Sequence, residues 1–187
     1  MYKELLQKTR SYRNFDSSYV ITDEVMKGLI ELTRFAPSTA NTQPLKFAYA
    51  CDREKCDKIF PHTRWAGYLT DKPPYNGNVP TGYILVCYDT DISQKSPEVD
   101  VGICSQVIVL GAMEQGIGAC MIGSIDKPEL KEIFNLPENI VPRLIIALGK
   151  PNETVEIVDA QNGDIKYYRG GREKNFVPKR TLSEILL

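Results

Sequence analysis

Residues 100–115 constrain this chain more than any other stretch. Wound as a helix, they place Val101, Ile103, Cys104, Val107, Ile108, Leu110 and Met113 around most of the circumference. A helix apolar on that many sides cannot rest on a surface with one face in water. It needs neighbours on several sides, which makes it a central helix. Gly102, Ser105, Gly111 and Ala112 leave room along it for another backbone, or a second subunit, to approach closely.

The remaining elements are read around that helix. A polar first helix fits residues 2–7, followed by an Arg-rich turn at 10–13. Asp23 and Glu24 open a second helix, where acidic groups suit the positive dipole end. Val25, Leu29, Leu32 and Thr33 give it an apolar stripe of helical period, and Pro37 stops it. Residues 47–51, 83–88, 119–122 and 144–148 read as strands, and the runs at 83–88 and 144–148 are apolar enough to be buried. Asp126 caps a helix, with Glu129 as its capping-box partner. Residues 60–80 hold Pro61, Gly67, Pro73, Pro74, Gly77 and Pro80, too many breakers for a regular element. The expected class is α+β, a small sheet with helices packed on it.

After Pro151 the chain turns polar, with turn signals at Asn162-Gly163 and Gly170-Gly171, and it ends in Thr181-Leu-Ser-Glu184 of capping-box form. This divides the chain into a core at 1–151 and an extension at 152–187. So long a segment beyond the last core strand is best explained by docking, and a second copy of the chain is the simplest partner.

Composition removes several classes of function. A net charge of −1 gives no global electrostatic grip on nucleic acid or an anionic membrane. No apolar run approaches the roughly 20 residues that span a bilayer, and the N-terminal decapeptide lacks a signal-peptide core, so a cytoplasmic protein is expected. The five cysteines contain no Cys-x-x-Cys pair, and Cys87, Cys104 and Cys120 lie in apolar runs. The single histidine, His62, has no neighbouring carboxylate in sequence, and neither metal binding nor a catalytic role is expected of it.

Three segments could carry chemistry. Arg10-Ser11-Tyr12-Arg13 sets two guanidinium groups and a hydroxyl together, a compact receptor for phosphate. The loop at 36–44, between Pro37 and Pro44, carries Ser38, Asn41 and Gln43, whose amides suit the polar edge of a heterocycle. Lys179 and Arg180 stand where the terminal helix begins, so its first amides and these cations could share one anion. Taken singly, the first segment fits a solvated turn better and the second a helix-to-strand linker better, while the third fits a solvated basic turn equally well.

Together they resemble the nitroreductase family of FMN enzymes, its shorter members in particular. The matching stretches are RSYRNF at 10–15, APSTANTQP at 36–44, DVGICSQVIVLGAMEQGIGACMIGSID at 100–126, IIALGKP at 145–151 and VPKRTL at 177–182, in the family's order. The resemblance implies a small, mostly antiparallel central sheet flanked by helices, with a C-terminal arm exchanged between the subunits of a homodimer. It implies that Arg10, Ser11 and Arg13 contact the FMN phosphate and the pyrimidine side of the ring. Pro37, Ser38 and Asn41 would line the flavin from the partner subunit, with Gln43 supporting that loop. The backbone of Met121, Ile122 and Gly123 would pass beside the ring, and Lys179 and Arg180 would close on the phosphate. Trp65 and Tyr68, in the segment at 60–80, would form the mouth of the substrate site.

The activity so implied is ping-pong reduction of nitro, quinone or related small acceptors by NAD(P)H. No side chain is assigned as catalytic, because the flavin N5 carries the hydride and the protein supplies orientation and electrostatics. Two other readings fit the same motifs. One is a flavin-binding or redox-sensing dimer without turnover. The other is specialised flavin chemistry, such as dehalogenation or flavin cleavage.

Overall fold

The computed structural model describes residues 2–187. Its regular elements are, in chain order, α1 (Tyr2–Lys8), β1 (Phe15–Asp16), α2 (Asp23–Glu31), β2 (Leu45–Ala50), α3 (Arg53–Ile59), β3 (Gly82–Asp89), α4 (Glu98–Glu114), β4 (Gly118–Ile122), α5 (Lys127–Ile133), β5 (Ile140–Pro151), β6 (Thr154–Asp159), β7 (Tyr168–Arg169), β8 (Lys174–Lys179) and α6 (Leu182–Ile185).

The apolar runs build a five-stranded antiparallel sheet ordered β1-β5-β3-β2, with β4 also paired to β5. Because successive strand residues point to opposite faces, β3 feeds two cores. Tyr83, Leu85 and Cys87 pack on one face with Cys56 and Ile59 of α3 and Leu130 of α5. Ile84 and Val86 pack on the other with Met26 and Leu29 of α2 and Ile108 and Ala112 of α4. Helices thus cover both faces of the sheet, and the α+β expectation holds. β5 accommodates Pro142 in its interior because the register with β3 shifts between Val86 and Cys87, so that Arg143 is left over as a bulge.

α4 is the central helix its composition required. Gly111 explains one close approach, since a Cβ there would sit 2.3 Å from Leu32 Cδ1 on the turn that follows α2. Gly102 instead faces open space, and the neighbouring Val99 is 67% exposed. An apolar helix therefore keeps an uncovered stripe. Among the described residues no helix is long and apolar enough to cross a membrane.

Two elements of the core, α3 and β1, lie outside the sequence expectation. α3 is mostly charged, and its start is marked by Asp52, which accepts from Lys55 N at 2.8 Å. β1 is too short for any periodicity to reveal, and Phe15 seats its ring where Gly149 lacks a Cβ.

The extension behaves differently from a free arm. β6 and β8 pair in parallel and β7 adds antiparallel to β8, forming a second three-stranded sheet. That sheet leans on its own chain's irregular segment. Tyr167 packs against Tyr68 with ring centroids 5.0 Å apart and planes tilted by 52°, and Arg172 reaches Asp71 at 3.9 Å. The stretch expected to dock as a whole on a second copy thus finds partners at home as far as Lys179. Beyond it Leu182, Ile185 and Leu186 are each more than 60% exposed.

Candidate active site

The Arg-rich turn follows directly from the end of α1. Thr9 donates its hydroxyl to Leu5 O at 2.7 Å, and Arg10 folds back to donate to Leu6 O at 3.0 Å, so both close the C-terminal end of the helix. Burial holds the Arg10 guanidinium below its usual pKa, partly opposed by Tyr12. Ser11 bridges to Ala119 of β4, and Tyr12 N donates to Ala119 O at 3.0 Å, which fastens the turn to the sheet. Burial also raises the Tyr12 hydroxyl, with the Glu153 carboxylate adding to the effect.

A cleft of about 270 Å³ opens beside this turn. Arg10, Ser11 and Arg13 line one side; Gln106 and Val109 of α4, Ala119 and Met121 of β4, and Val177 and Lys179 of β8 line the others. The strand period selects Val177 and Lys179 for the cleft and sends Pro178 elsewhere. The Lys179 carbonyl accepts from Ala160 N at 2.8 Å, while its side chain makes no hydrogen bond or ion pair with the described residues. Arg180 does not line the cleft and lies 3.9 Å from Glu184. The short α6 closes its own capping box through Thr181 and Glu184, which puts a carboxylate where an anion was expected. No carboxylate lines the cleft, so its potential favours anions.

The Pro37–Gln43 loop lines a different cleft, of about 320 Å³, together with Asp100 and Cys104 of α4 and Phe47 of β2. Ala40, Asn41 and Gln43 all have positive φ, at 48°, 55° and 50°, an unusual run for residues with side chains. Asp100 holds this conformation. Only 1% exposed, it accepts from Ser38 Oγ at 2.5 Å, Thr39 N at 3.0 Å and Thr39 Oγ1 at 2.7 Å. Burial alone would raise the Asp100 carboxyl, but these hydrogen bonds outweigh it and hold the group below its ordinary value. Ser38 also accepts from Gln43 N at 2.9 Å, and Gln43 Nε2 donates to Asn41 Oδ1 at 3.1 Å. Within one chain, then, the loop and the basic turn stand at separate clefts, with α4 contributing to both.

Of the residues expected beside the ring, Met121 is 37% exposed in the first cleft. The Ile122 side chain turns into the core, and Gly123 faces open space. Trp65 is not at the mouth of either cleft. Its indole lies in the core at 8% exposure, 6.5 Å from the Phe15 ring, and donates to Thr63 Oγ1 at 2.8 Å. The many breakers around it bend the segment inward there, where a large aromatic gains most from burial. Tyr68 does stay exposed, in tilted contact with Tyr167. His62 stands 3.9 Å from Asp126, and the described residues hold no group of three metal-ligating side chains.

Three residues around the site lie outside the sequence expectation. Asp100 carries one signal, a lone carboxylate entering an apolar helix, which calls for a buried partner. Tyr167, over which Arg13 lies at 4.5 Å, is an aromatic within a polar tail. Glu153, which ties the tail to the turn, carries no local signal at all.

A family model described as the nitroreductase family matches residues 6–150. The CR(VI) reductase of Pseudomonas sp. strain G-1 is 29% identical over 177 residues, covering 84% of this chain and 69% of that protein. Among solved structures, a nitroreductase family protein from Streptococcus pneumoniae TIGR4 superposes with a TM-score of 0.72 at 19% identity, over 100% of this chain and 99% of that one. The NADPH:FMN oxidoreductase from Vibrio harveyi, complexed with NAD+, gives 0.65 at 22% identity, over 98% and 80%.

Proposed function

The chain belongs to the nitroreductase family, and from that premise we propose that it is an FMN-dependent oxidoreductase that reduces small nitro, quinone or related acceptors at the expense of NAD(P)H. One observation carries the reading: Arg10, Ser11, Arg13 and Lys179 meet at one cleft whose remaining wall includes Val109, Ala119, Met121 and Val177. A cationic end beside an apolar wall fits a phosphate monoester attached to a flat ring. Bound FMN supplies the hydride chemistry.

The chain's own residues hold and tune it. Arg13 and Lys179 neutralise the phosphate, with Ser11 beside them and Arg10 half-committed to α1. A cation near the ring edge also favours negative charge on the reduced cofactor. The backbone at Met121, Ile122 and Gly123 forms the side wall, and Tyr68 with Tyr167 stands at the rim. NAD(P)H and the acceptor use one cleft in turn, which gives ping-pong kinetics.

The loop carrying Pro37, Ser38, Asn41 and Gln43 comes from a second copy. The uncovered stripe of α4, with Val99 at 67% exposure, Phe35 at 79% on the turn after α2, and the apolar residues of the tail beyond Lys179 are the surfaces a homodimer would bury. In this reading the core is residues 1–151 with the sheet at 154–179 folded on it, and the segment after Lys179 is what reaches the partner. Residues of the Trp65 region act through packing.

The purified protein is expected to be yellow and dimeric. Mixing it anaerobically with NADH or NADPH is expected to bleach the flavin absorbance, and a nitroaromatic or quinone to restore it. A flavin that binds but does not bleach with either reductant would make the protein a carrier or sensor instead.

A further inference from the structure

Glu153 does not line the basic cleft, and its side chain is buried at 0% exposure. A charge removed from water persists only with good partners, because its desolvation costs on the order of several kcal/mol. Glu153 has three. Its Oε1 accepts from the backbone N–H of Arg13 and, at 3.1 Å, from that of Asn14. Its Oε2 meets Arg169 Nη2 at 2.5 Å, and the Arg169 side chain is itself 9% exposed. Around this centre Asn152 N donates to Asn14 O at 2.9 Å, and Asn14 Nδ2 returns to Asn152 O at 3.0 Å.

Two consecutive amides converging on one oxygen make an anion receptor. In a phosphate-binding turn those amides would ordinarily serve the ligand. Here the chain fills them from behind with its own carboxylate. Tyr12 N is engaged by Ala119 O and Phe15 N by Asn78 O, each at 3.0 Å. Every backbone donor from Tyr12 to Phe15 is therefore satisfied before a ligand arrives, and recognition falls to side chains. The positive charge of Arg169 balances Glu153, so the strut leaves no net negative charge behind the cleft.

The geometry points to Glu153 as a positioning residue that fixes the Arg13–Asn14 backbone and so presents the Arg13 guanidinium to the phosphate in a set orientation. The inference rests on the FMN reading. Its effect is preorganisation, which raises affinity by lowering the ordering cost of binding.

The test titrates flavin-free protein with FMN and with riboflavin, which lacks the phosphate, in the native chain and in Glu153→Gln. FMN affinity is expected to fall by about tenfold or more, as for a lost charge-assisted contact, while riboflavin affinity stays unchanged. Equal weakening of both flavins would assign Glu153 to general stability and overturn the proposal, as would unaltered FMN binding. A native chain that binds FMN no better than riboflavin would instead bring down the FMN reading itself, together with this inference. Should the Gln variant not fold, hydrogen exchange in the native flavin-free protein decides. Arg13 and Asn14 amides as slow as those of β3 support the strut, and exchange at open-loop rates overturns it.

Discussion

Ser38 and Asp100 stand 62 residues apart in sequence and 2.5 Å apart in space, the hydroxyl of one donating to the carboxylate of the other. The contact turns the first turn of α4 into the anchor of the Pro37–Gln43 loop. Three residues with positive φ persist in that loop because Asp100 and Ser38 over-determine it.

Removing the anchor should be costly. Asp100→Ala leaves the Ser38 and Thr39 donors without their acceptor and is expected to destabilise the chain by roughly 2–3 kcal/mol, measured by urea denaturation. Because the folded-state carboxyl titrates below its ordinary value of 3.8, its contribution is complete above that pH and is lost as pH falls through the lower folded-state value. The stability gap between native and Asp100→Asn proteins should therefore narrow below about pH 4. A gap that stays constant there would contradict the assignment.

The basic cleft predicts an order among its cations. Arg13→Ala should weaken FMN binding by about 10- to 100-fold, the range for a charge-assisted contact. Lys179→Ala should cost about tenfold. Arg180→Ala should change it little, since that side chain lies outside the cleft. Fluorescence titration of flavin-free protein separates the three, and unchanged flavin content in Arg13→Ala would count heavily against the FMN reading.

Trp65 and Tyr68 should divide into a packing residue and a rim residue. Trp65→Phe loses the bond to Thr63 and is expected to lower stability by about 1 kcal/mol or more while leaving the KM for acceptors intact. Tyr68→Ala should do the reverse, because its ring is 55% exposed. Thermal melts and steady-state kinetics on the two variants check the pair.

Deleting residues 182–187 removes Leu182, Ile185 and Leu186, all exposed in the single chain. In the proposed dimer this tail is buried, so its loss should shift the monomer–dimer equilibrium toward monomer in sedimentation velocity. An unchanged equilibrium would show that the tail has no place in the interface.

Much of the core was legible because burial leaves strong patterns. The runs in β3 and β5 and the all-round apolar α4 could hardly have been anything else. α3 escaped because its stability comes from the Asp52 cap and from pairs such as Arg53–Asp57 and Glu54–Lys58, which resemble any charged surface stretch. Within the candidate site, residue types were readable and destinations were not. Lys179 and Arg180 look alike in sequence, but the phase of β8 sends Lys179 into the cleft, while Arg180 follows the end of the strand and lies near Glu184. Trp65 was misplaced because an aromatic among prolines reads as exposed until a core is found to receive it. Glu153 was invisible because its partners are backbone amides 139 and 140 positions away.

The separation of the loop and the basic turn into two clefts of one chain has a genetic corollary. If each working site joins the turn of one subunit to the loop of the other, an Arg13→Ala chain and a chain damaged in the loop are each inactive as homodimers wherever free FMN is too scarce to fill the weakened sites. Paired with each other, they would concentrate both lesions in one site and leave the second site wholly native. Co-expressed, two null alleles of this protein should therefore rescue one another to about half of native activity per mixed dimer.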